Sequence, residues 1–301
     1  MNTIACYVGT VLIWGSSWLA IKYQLGVVAP QMSLAYRFAL ASLLLIGWCL
    51  ARNISLRFNW RDHVFLALLG LTLFSTNYLL LYFVTFDLTT GLVAVIFSTI
   101  TIMNMFNSVL FLGRRIEKQT LIGAAMGLTG MVLIFWPEIE RSGQITIGVI
   151  SLGIVGTYSA SIGHIVSARN QSRGLGVVPA NAIGMLYGTV LLLGFAWLSG
   201  APYTFDPSGT YILSLIYLAV FASAIAFGLF LTLVGRIGPG KAAYATVLFP
   251  IVALALSTSI EGYQWQVRAV AGVALVLMGN VAVLGTREHL RAAFAHFRKT
   301  T

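Results

Sequence analysis

Charged residues are scarce in this chain. Only 9% of its 301 residues are Asp, Glu, Lys or Arg, whereas 58% are hydrophobic. A soluble domain carries about 25% charged residues, so this chain has too little polar surface to face water over most of its area. The composition therefore excludes an ordinary soluble protein and predicts an integral membrane protein, with the lipid bilayer as its main surroundings.

Acidic side chains are missing from the centres of the apolar segments. All eight Asp and Glu residues fall in connecting segments, at segment ends or in the C-terminal tail. Carriers that are coupled to protons or sodium commonly use buried acids. We therefore expect weak or absent ion coupling through carboxylates, with His164 as the one conspicuous titratable alternative.

Cysteines and enzyme signatures are also sparse. The two cysteines, Cys6 and Cys49, lie inside apolar segments, where they resemble small hydrophobic residues, and nothing implies a disulfide framework. No His-Glu-x-x-His motif and no paired acids occur within an apolar segment. An intramembrane enzyme is therefore a weak alternative, for which His164 would have to approach Ser16 and Ser17 across the molecule. We expect no cofactor and no metal site.

Ten apolar segments make up most of the sequence, and each is about long enough to cross the hydrocarbon core as a helix. Backbone groups in lipid must bond within their own segment, so the predicted fold is all-α, with ten transmembrane helices. The first segment has no basic residue before it and is predicted to be an uncleaved span. The segments cover about residues 3–22, 30–51, 63–84, 88–112, 119–136, 145–168, 177–199, 210–234, 240–260 and 266–286.

The positive charges predict the orientation of these segments. If the N-terminus is cytoplasmic, only Lys22, Arg141 and Arg268 lie in outer loops, and Arg37 lies within a segment. Because basic residues concentrate on the cytoplasmic side, we expect both termini inside and read the net charge of +10 as a topology signal and not as a nucleic-acid-binding surface. The cytoplasmic loops and tail hold Arg52, Arg57, Arg61, Arg114, Arg115, Lys118, Arg169, Arg173, Arg236, Lys241, Arg287, Arg291, Arg298 and Lys299.

An internal repeat relates the two halves at an offset of 149 residues. Pro30 then aligns with Pro179, and Trp48 aligns with Trp197. Because each repeat contains five segments, an odd number, the second copy enters the membrane from the opposite side. This inverted repeat is the architecture of many secondary transporters. The in-register glycines are Gly91 with Gly240, Gly113 with Gly262, Gly123 with Gly272, and Gly130 with Gly279.

The repeat also divides the chain into domains. We predict a first five-helix repeat over residues 1–137, a second over residues 138–286, and a basic cytoplasmic tail over residues 287–301. In the tail, apolar residues among basic ones suggest either a short amphipathic helix on the anionic leaflet or a disordered segment. Two similar halves in opposite orientations predict a carrier that opens alternately to the two sides.

Polar and aromatic residues inside the segments are candidates for a substrate pathway, because each is costly in lipid. Several recur at helical spacing, as in the stripes Asn77-Tyr78-Tyr82-Thr85 and Ser98-Thr101-Asn104-Ser108. Ordinary packing, bonding back to the same helix and an interfacial aromatic belt are the alternatives. Arg37 either extends to the interface or contacts a substrate carboxylate. The predicted substrate-binding residues are Trp14, Ser17, Tyr78, Tyr82, Ser98, Asn104, Tyr158, His164 and Tyr244.

The sequence also resembles a known family. The motif Trp14-Gly15-Ser16-Ser17-Trp18, the pair Arg37-Phe38, the glycine-rich segment from Gly123 to Gly130, and Pro250 followed by Gly272 and Gly279 are similar to the EamA branch of the drug/metabolite transporter superfamily. Thr101 replaces a proline that the family often carries. Within the branch, the chain looks most like the YddG-type amino-acid exporters.

This resemblance implies a bacterial-type inner-membrane exporter of small metabolites, plausibly aromatic and other neutral amino acids and drug-like cations, through a central cavity between the repeats. A small-molecule substrate, the bilayer and no nucleic acid are the expected partners, and the expected assembly is a monomer or weak dimer. A channel-like facilitator remains open as an alternative, because inverted repeats alone do not exclude pore-like flux.

Overall fold

A computed structural model describes residues 2–24, 26–88, 90–141, 147–260 and 265–284. Within these ranges the chain is helical, and no strand is present. The predicted basic tail at residues 287–301 lies outside the described residues. The all-α prediction is therefore confirmed for the part of the chain that the structure describes.

The helices lie within a few residues of the apolar segments marked on the sequence. Asn2 caps the first of them, because its side chain accepts a hydrogen bond from the Ile4 amide, and Pro30 stands at the start of the second. In chain order they are α1 (Thr3–Lys22), α2 (Pro30–Ala51), α3 (Trp60–Val84), α4 (Thr90–Ser98 continued by Ile100–Leu112), α5 (Lys118–Ile134, followed by the short helix Trp136–Arg141), α6 (Ile147–Ser172), α7 (Val177–Leu198), α8 (Gly209–Ile237), α9 (Pro239–Ala242 continued by Tyr244–Ile260) and α10 (Val267–Leu284).

Several of these helices are suited to a membrane. Six of them, α2, α3, α4, α6, α7 and α8, include stretches long and apolar enough to span a bilayer, and shorter apolar stretches occur in α1, α5 and α10. Large apolar side chains such as Leu110, Leu198 and Val267 stand exposed on the outside of the bundle. Contiguous apolar surface of this kind is unfavourable in water and ordinary in lipid.

Two pairs of helices hold the halves of the chain together. Helix α2 packs along α7, and α5 packs along α10. A Cβ atom added to Gly130 would lie 2.6 Å from the Gly272 carbonyl oxygen, and one added to Gly272 would lie 2.5 Å from the Gly130 oxygen. Gly123 and Gly279 make the matching contact at the other end of the pair. Glycine is therefore required here because the two backbones touch.

The remaining helices surround a central space. Helix α3 packs on α6 and α7, while α8 packs on α1 and α2. Each of α3 and α8 contains a π-helical stretch near its middle, at Thr72–Thr76 and Leu218–Ile225. In a π stretch the side chains turn by a different angle per residue, and such stretches are frequent at functional sites. These irregular stretches flank the cavity described next.

Candidate functional site

A cavity of about 120 Å³ lies within the bundle. Its walls come from both halves of the chain, from α1, α2, α3 and α4 in the first half and from α6, α8 and α9 in the second. The volume is below the 300–1,000 Å³ that is typical of drug-sized ligand pockets, so in this conformation the cavity matches a small metabolite. Its lining residues are Trp14, Ser17, Ile21, Arg37, Leu73, Asn77, Tyr78, Leu81, Tyr82, Thr85, Val93, Phe97, His164, Phe227, Thr246 and Phe249.

Aromatic rings form one wall of this cavity. The Trp14 ring meets Phe227 edge-on at a centroid distance of 4.8 Å and Phe249 at 5.3 Å. Its indole Nε1 donates a hydrogen bond of 2.8 Å to the carbonyl oxygen of Ala222, within the π stretch of α8. Since the polar atom of Trp14 is satisfied by the backbone, the ring is held in one orientation and offers an apolar face to the cavity.

Arg37 supplies the positive charge of the site. It projects from α2, is only 2% exposed, and its Nε donates a 2.8 Å hydrogen bond to Ser223 Oγ. Its Cζ atom lies 4.9 Å from the centre of the Tyr78 ring. The buried Nη1 atom has no hydrogen-bond partner, and among the described residues no carboxylate forms an ion pair with Arg37. A buried cation with a free donor is a costly arrangement that a bound anion would relieve.

Asn77 adds an acceptor to the same cavity. It follows the π stretch of α3 directly, and its buried Oδ1 atom has no hydrogen-bond partner. The hydroxyls of Tyr78 and Tyr82 lie close enough to Arg37 to interact with its charge. The site thus combines an unpaired guanidinium donor, an unpaired amide acceptor and aromatic surface, which together fit a small molecule with a carboxylate, an ammonium group and an apolar side chain.

His164 forms the part of the lining that α6 contributes. Its Nδ1 atom lies 3.0 Å from Asn104 Nδ2, and the same Asn104 nitrogen donates to the Pro239 carbonyl oxygen at 3.1 Å. The imidazole also packs against the Phe230 ring, at 4.8 Å between centroids. Asn104 therefore links α4 to both α6 and α9, and orients His164 at the edge of the cavity.

Five of the nine predicted site residues line the cavity, namely Trp14, Ser17, Tyr78, Tyr82 and His164. Asn104 lies behind His164, and Ser98 bonds back to Val95 in its own helix. The other two lie elsewhere. The Tyr244 hydroxyl donates to the Thr120 carbonyl between α9 and α5, and Tyr158 is 44% exposed on the outer surface.

The predicted set leaves out four polar residues of the cavity, Arg37, Asn77, Thr85 and Thr246. For Arg37 a signal exists in the sequence, because it is the one Lys or Arg that lies well inside an apolar segment, away from its ends. Asn77 belongs to the polar stripe of α3, and all four members of that stripe line the cavity. In the part of the chain that the structure describes, no three His, Cys, Asp or Glu side chains converge as metal ligands.

Known proteins resemble this chain over nearly its whole length. It is 28% identical to the uncharacterized inner membrane transporter YedA of Escherichia coli K12, over 89% of this chain and 87% of the relative. It is 24% identical to Protein PagO of Salmonella typhimurium, over 92% and 91% of the two chains. A probable amino-acid metabolite efflux pump of Salmonella typhimurium is 25% identical, over 92% and 93%.

A solved crystal structure shares the fold. It superposes with a TM-score of 0.76 over 95% of this chain and 98% of its own, at 19% sequence identity. The profile of the EamA-like transporter family matches this chain twice, over residues 1–136 and 147–285. Both the apolar helices and these matches identify a multi-pass membrane transporter. The chain belongs to the EamA-like transporter family, within the drug/metabolite transporter superfamily.

Proposed function

We propose that this transporter carries amino acids with aromatic or other apolar side chains out of the cytoplasm, down their own gradient. The single observation that carries the proposal is the unpaired Arg37 Nη1 in a cavity that also holds the unpaired Asn77 Oδ1. One of the relatives bears the name of a probable amino-acid metabolite efflux pump, which agrees with this substrate class.

Each part of an amino acid has a matching group in this cavity. The substrate carboxylate would accept a charge-assisted hydrogen bond from Arg37 Nη1, and the ammonium group would donate to Asn77 Oδ1. The apolar side chain would lie against Trp14 and Phe227, which also attract an ammonium group through their ring faces. Ser17, Tyr82 and His164 complete the proposed binding site.

We propose alternating access between two inverted five-helix repeats as the mechanism. Three features support it, and all follow the 149-residue register. Helices related by the register pack on one another, as α2 does with α7 and α5 does with α10. The glycines of α5 and α10 meet crosswise, and the π stretches of α3 and α8 occupy corresponding positions. Similar halves in opposite orientation are able to exchange conformations, which would move the cavity opening from one side to the other.

Drug-like cations and channel-like flux are the other candidates. A cation without a carboxylate would bring a second positive charge next to the buried Arg37, and like charges at short distance repel strongly in a low-dielectric site. A channel would show flux without saturation, which the counterflow experiment distinguishes from transport by a carrier. Ten spans, a bacterial-type inner membrane and cytoplasmic termini belong to the same proposal.

Counterflow in proteoliposomes tests the substrate class. Purified protein is reconstituted in vesicles loaded with unlabelled phenylalanine or tryptophan, and uptake of the same radiolabelled amino acid is measured. We expect saturable, transient accumulation that the decarboxylated amine and the deaminated acid inhibit far less than the intact amino acid. Equal inhibition by the amine would favour a cation transporter, and flux without saturation or counterflow would favour a channel. Absence of flux for every amino acid tested would contradict the proposal that the protein transports amino acids.

A further inference from the structure

A second cavity system opens at the opposite end of α2 from the Pro30 start, where α3 and α7 begin. One part of it encloses about 770 Å³ and the other about 480 Å³, and the two are contiguous through Asn59, Asp62 and Arg173. The connection from α2 to α3 forms one side of this cavity system, and the connection from α6 to α7 forms the other side. We call this surface the arginine groove. Its charged residues are Arg57, Arg61, Asp62, Arg169 and Arg173.

The arginine groove is strongly positive. Four arginines line it, and Asp62 is the one carboxylate among its lining residues. Asp62 lies 4.0 Å from Arg169, whose guanidinium also stacks 3.4 Å from the centre of the Phe65 ring. Arg169 is thus already engaged. Among the described residues, no ion pair is formed by Arg57, Arg61 or Arg173, so none of these three cations has a carboxylate partner. The Arg61 guanidinium lies over the Trp60 ring, 5.6 Å from its centre, which leaves its charge unneutralised.

Two helix beginnings add to the positive potential of the groove. Asn59 precedes α3 and Gly176 precedes α7, and neither provides a side-chain cap for its helix. Both residues line the groove, as do Val177 and Val178 of the first turn of α7. The first amide groups of a helix have no partner within it and carry the positive end of the helix dipole. Arginine side chains and free amide groups together match a phosphate group.

The residues around the arginine groove indicate what kind of molecule would carry such a phosphate group. Trp60, at the rim of the groove, is 72% exposed, and Ile54 is also exposed beside it. An exposed tryptophan next to basic residues is typical of the headgroup level of a bilayer, where basic clusters between helices bind anionic headgroups. We propose that the arginine groove binds the phosphate headgroup of an anionic phospholipid, with the acyl chains lying on the exposed apolar surface beside it.

This proposal is independent of the transported substrate, and native mass spectrometry tests it directly. The detergent-purified, delipidated protein is mixed with phosphatidylglycerol or with phosphatidylcholine. We expect one phosphatidylglycerol to remain bound under activation that strips phosphatidylcholine. The variant Arg57→Gln/Arg173→Gln should lose this retention roughly tenfold or more, whereas Arg57→Lys/Arg173→Lys should largely keep it.

The matched control removes the same charge elsewhere. Arg115→Gln/Lys118→Gln changes two exposed basic residues at the start of α5, away from the groove, and should retain phosphatidylglycerol as the unchanged protein does. Equal retention by both glutamine variants would overturn the proposal, as would equal retention of the two lipids. A thermal melt of each variant shows that it is folded.

A soluble phosphate compound is the other ligand that could bind the arginine groove through the same contacts. Inorganic phosphate and glycerol phosphate at millimolar concentration are therefore added as competitors. We expect neither to displace the lipid, because a soluble phosphate lacks the acyl chains that contribute to binding. Displacement by either compound would show a soluble anion site and contradict the lipid assignment.

Discussion

At the scale of single residues, Arg37 is a buried cation whose guanidinium is only partly hydrogen-bonded, which is a costly arrangement. Its sequence position allowed either an extension toward the interface or a contact with substrate. It is only 2% exposed, its Nε donates a hydrogen bond to Ser223, and its guanidinium lies over the Tyr78 ring. A guanidinium in this position has no route to the headgroups. The buried charge therefore favours the reading in which an anionic part of the substrate completes its hydrogen bonds.

We expect Arg37→Gln to weaken apparent affinity for an aromatic amino acid by about 10- to 100-fold, because a hydrogen bond to a charged group contributes about 1.5–3 kcal/mol. The readout is the KM of counterflow. We expect the KM of Arg37→Lys to lie between the KM of the unchanged protein and that of Arg37→Gln. Arg52→Gln serves as the control, since Arg52 stacks on Trp48 at the surface. An unchanged KM in Arg37→Gln would contradict the proposed carboxylate contact.

His164 is the residue on which any proton coupling would depend, because no acid occupies the centre of a span. We expect substrate addition to proteoliposomes that enclose a pH-sensitive dye to cause little or no proton flux. If a flux is found, His164→Ala should abolish it, while Tyr158→Phe on the outer surface should leave it unchanged. A substrate-driven flux that survives His164→Ala would exclude this histidine as the coupling group.

At the scale of helices, α5 and α10 are in direct contact through their backbones at paired glycines. Gly130 meets Gly272, and Gly123 meets Gly279, so the two backbones leave no room for a side chain at these positions. Lipid provides no hydrophobic drive for helices to associate. Close packing of small residues is therefore what stabilises this pair, and a single added methyl group has no space.

We expect Gly130→Ala to destabilise the protein by about 1–3 kcal/mol, because its Cβ would lie 2.6 Å from the Gly272 oxygen and push the helices apart. The same substitution at Gly194 is the matched control, since an added Cβ there meets nothing within 4 Å. Gly194→Ala should be neutral or stabilising by up to about 1 kcal/mol. Thermal melting in detergent measures both, and equal midpoints for the two variants would contradict the argument.

At the scale of the whole molecule, the cavity exists because both halves of the chain contribute to it. Arg37 and Asn77 come from the first half, while His164, Phe227 and Phe249 come from the second. A relative movement of the halves would therefore change the cavity opening and its contacts at the same time. This coupling is what a carrier needs, because substrate must meet a complete site on one side and be released on the other.

The proposed topology gives a test of the whole arrangement. Cys6 and Cys49 are buried, and both are replaced by alanine. A cysteine is then introduced at Pro202 in the connection from α7 to α8, or at Ser55 in the connection from α2 to α3; both positions are exposed. A membrane-impermeant maleimide should label the cysteine at position 202 in intact cells and that at position 55 only after permeabilisation. The reverse pattern would contradict cytoplasmic termini.

The sequence by itself determined the properties that depend on composition and spacing. Its scarcity of charge and its long apolar segments predicted helices that the structure places within a few residues of the expected bounds. The polar stripe from Asn77 to Thr85 was predicted as one face, and all of it lines the cavity. Helical spacing is a local property, so a sequence reveals which residues share a face.

Only the tertiary structure decided which faces meet. Tyr158 shares helix α6 with His164, yet one is on the outer surface and the other is at the cavity. Tyr244 looks equally suited to a substrate site and instead bonds to Thr120 between helices. The unpaired atoms of Arg37 and Asn77 become visible only when every neighbour is in place. The physical reason is that satisfaction of a hydrogen bond depends on residues far apart in the chain, and helical periodicity carries no information about them.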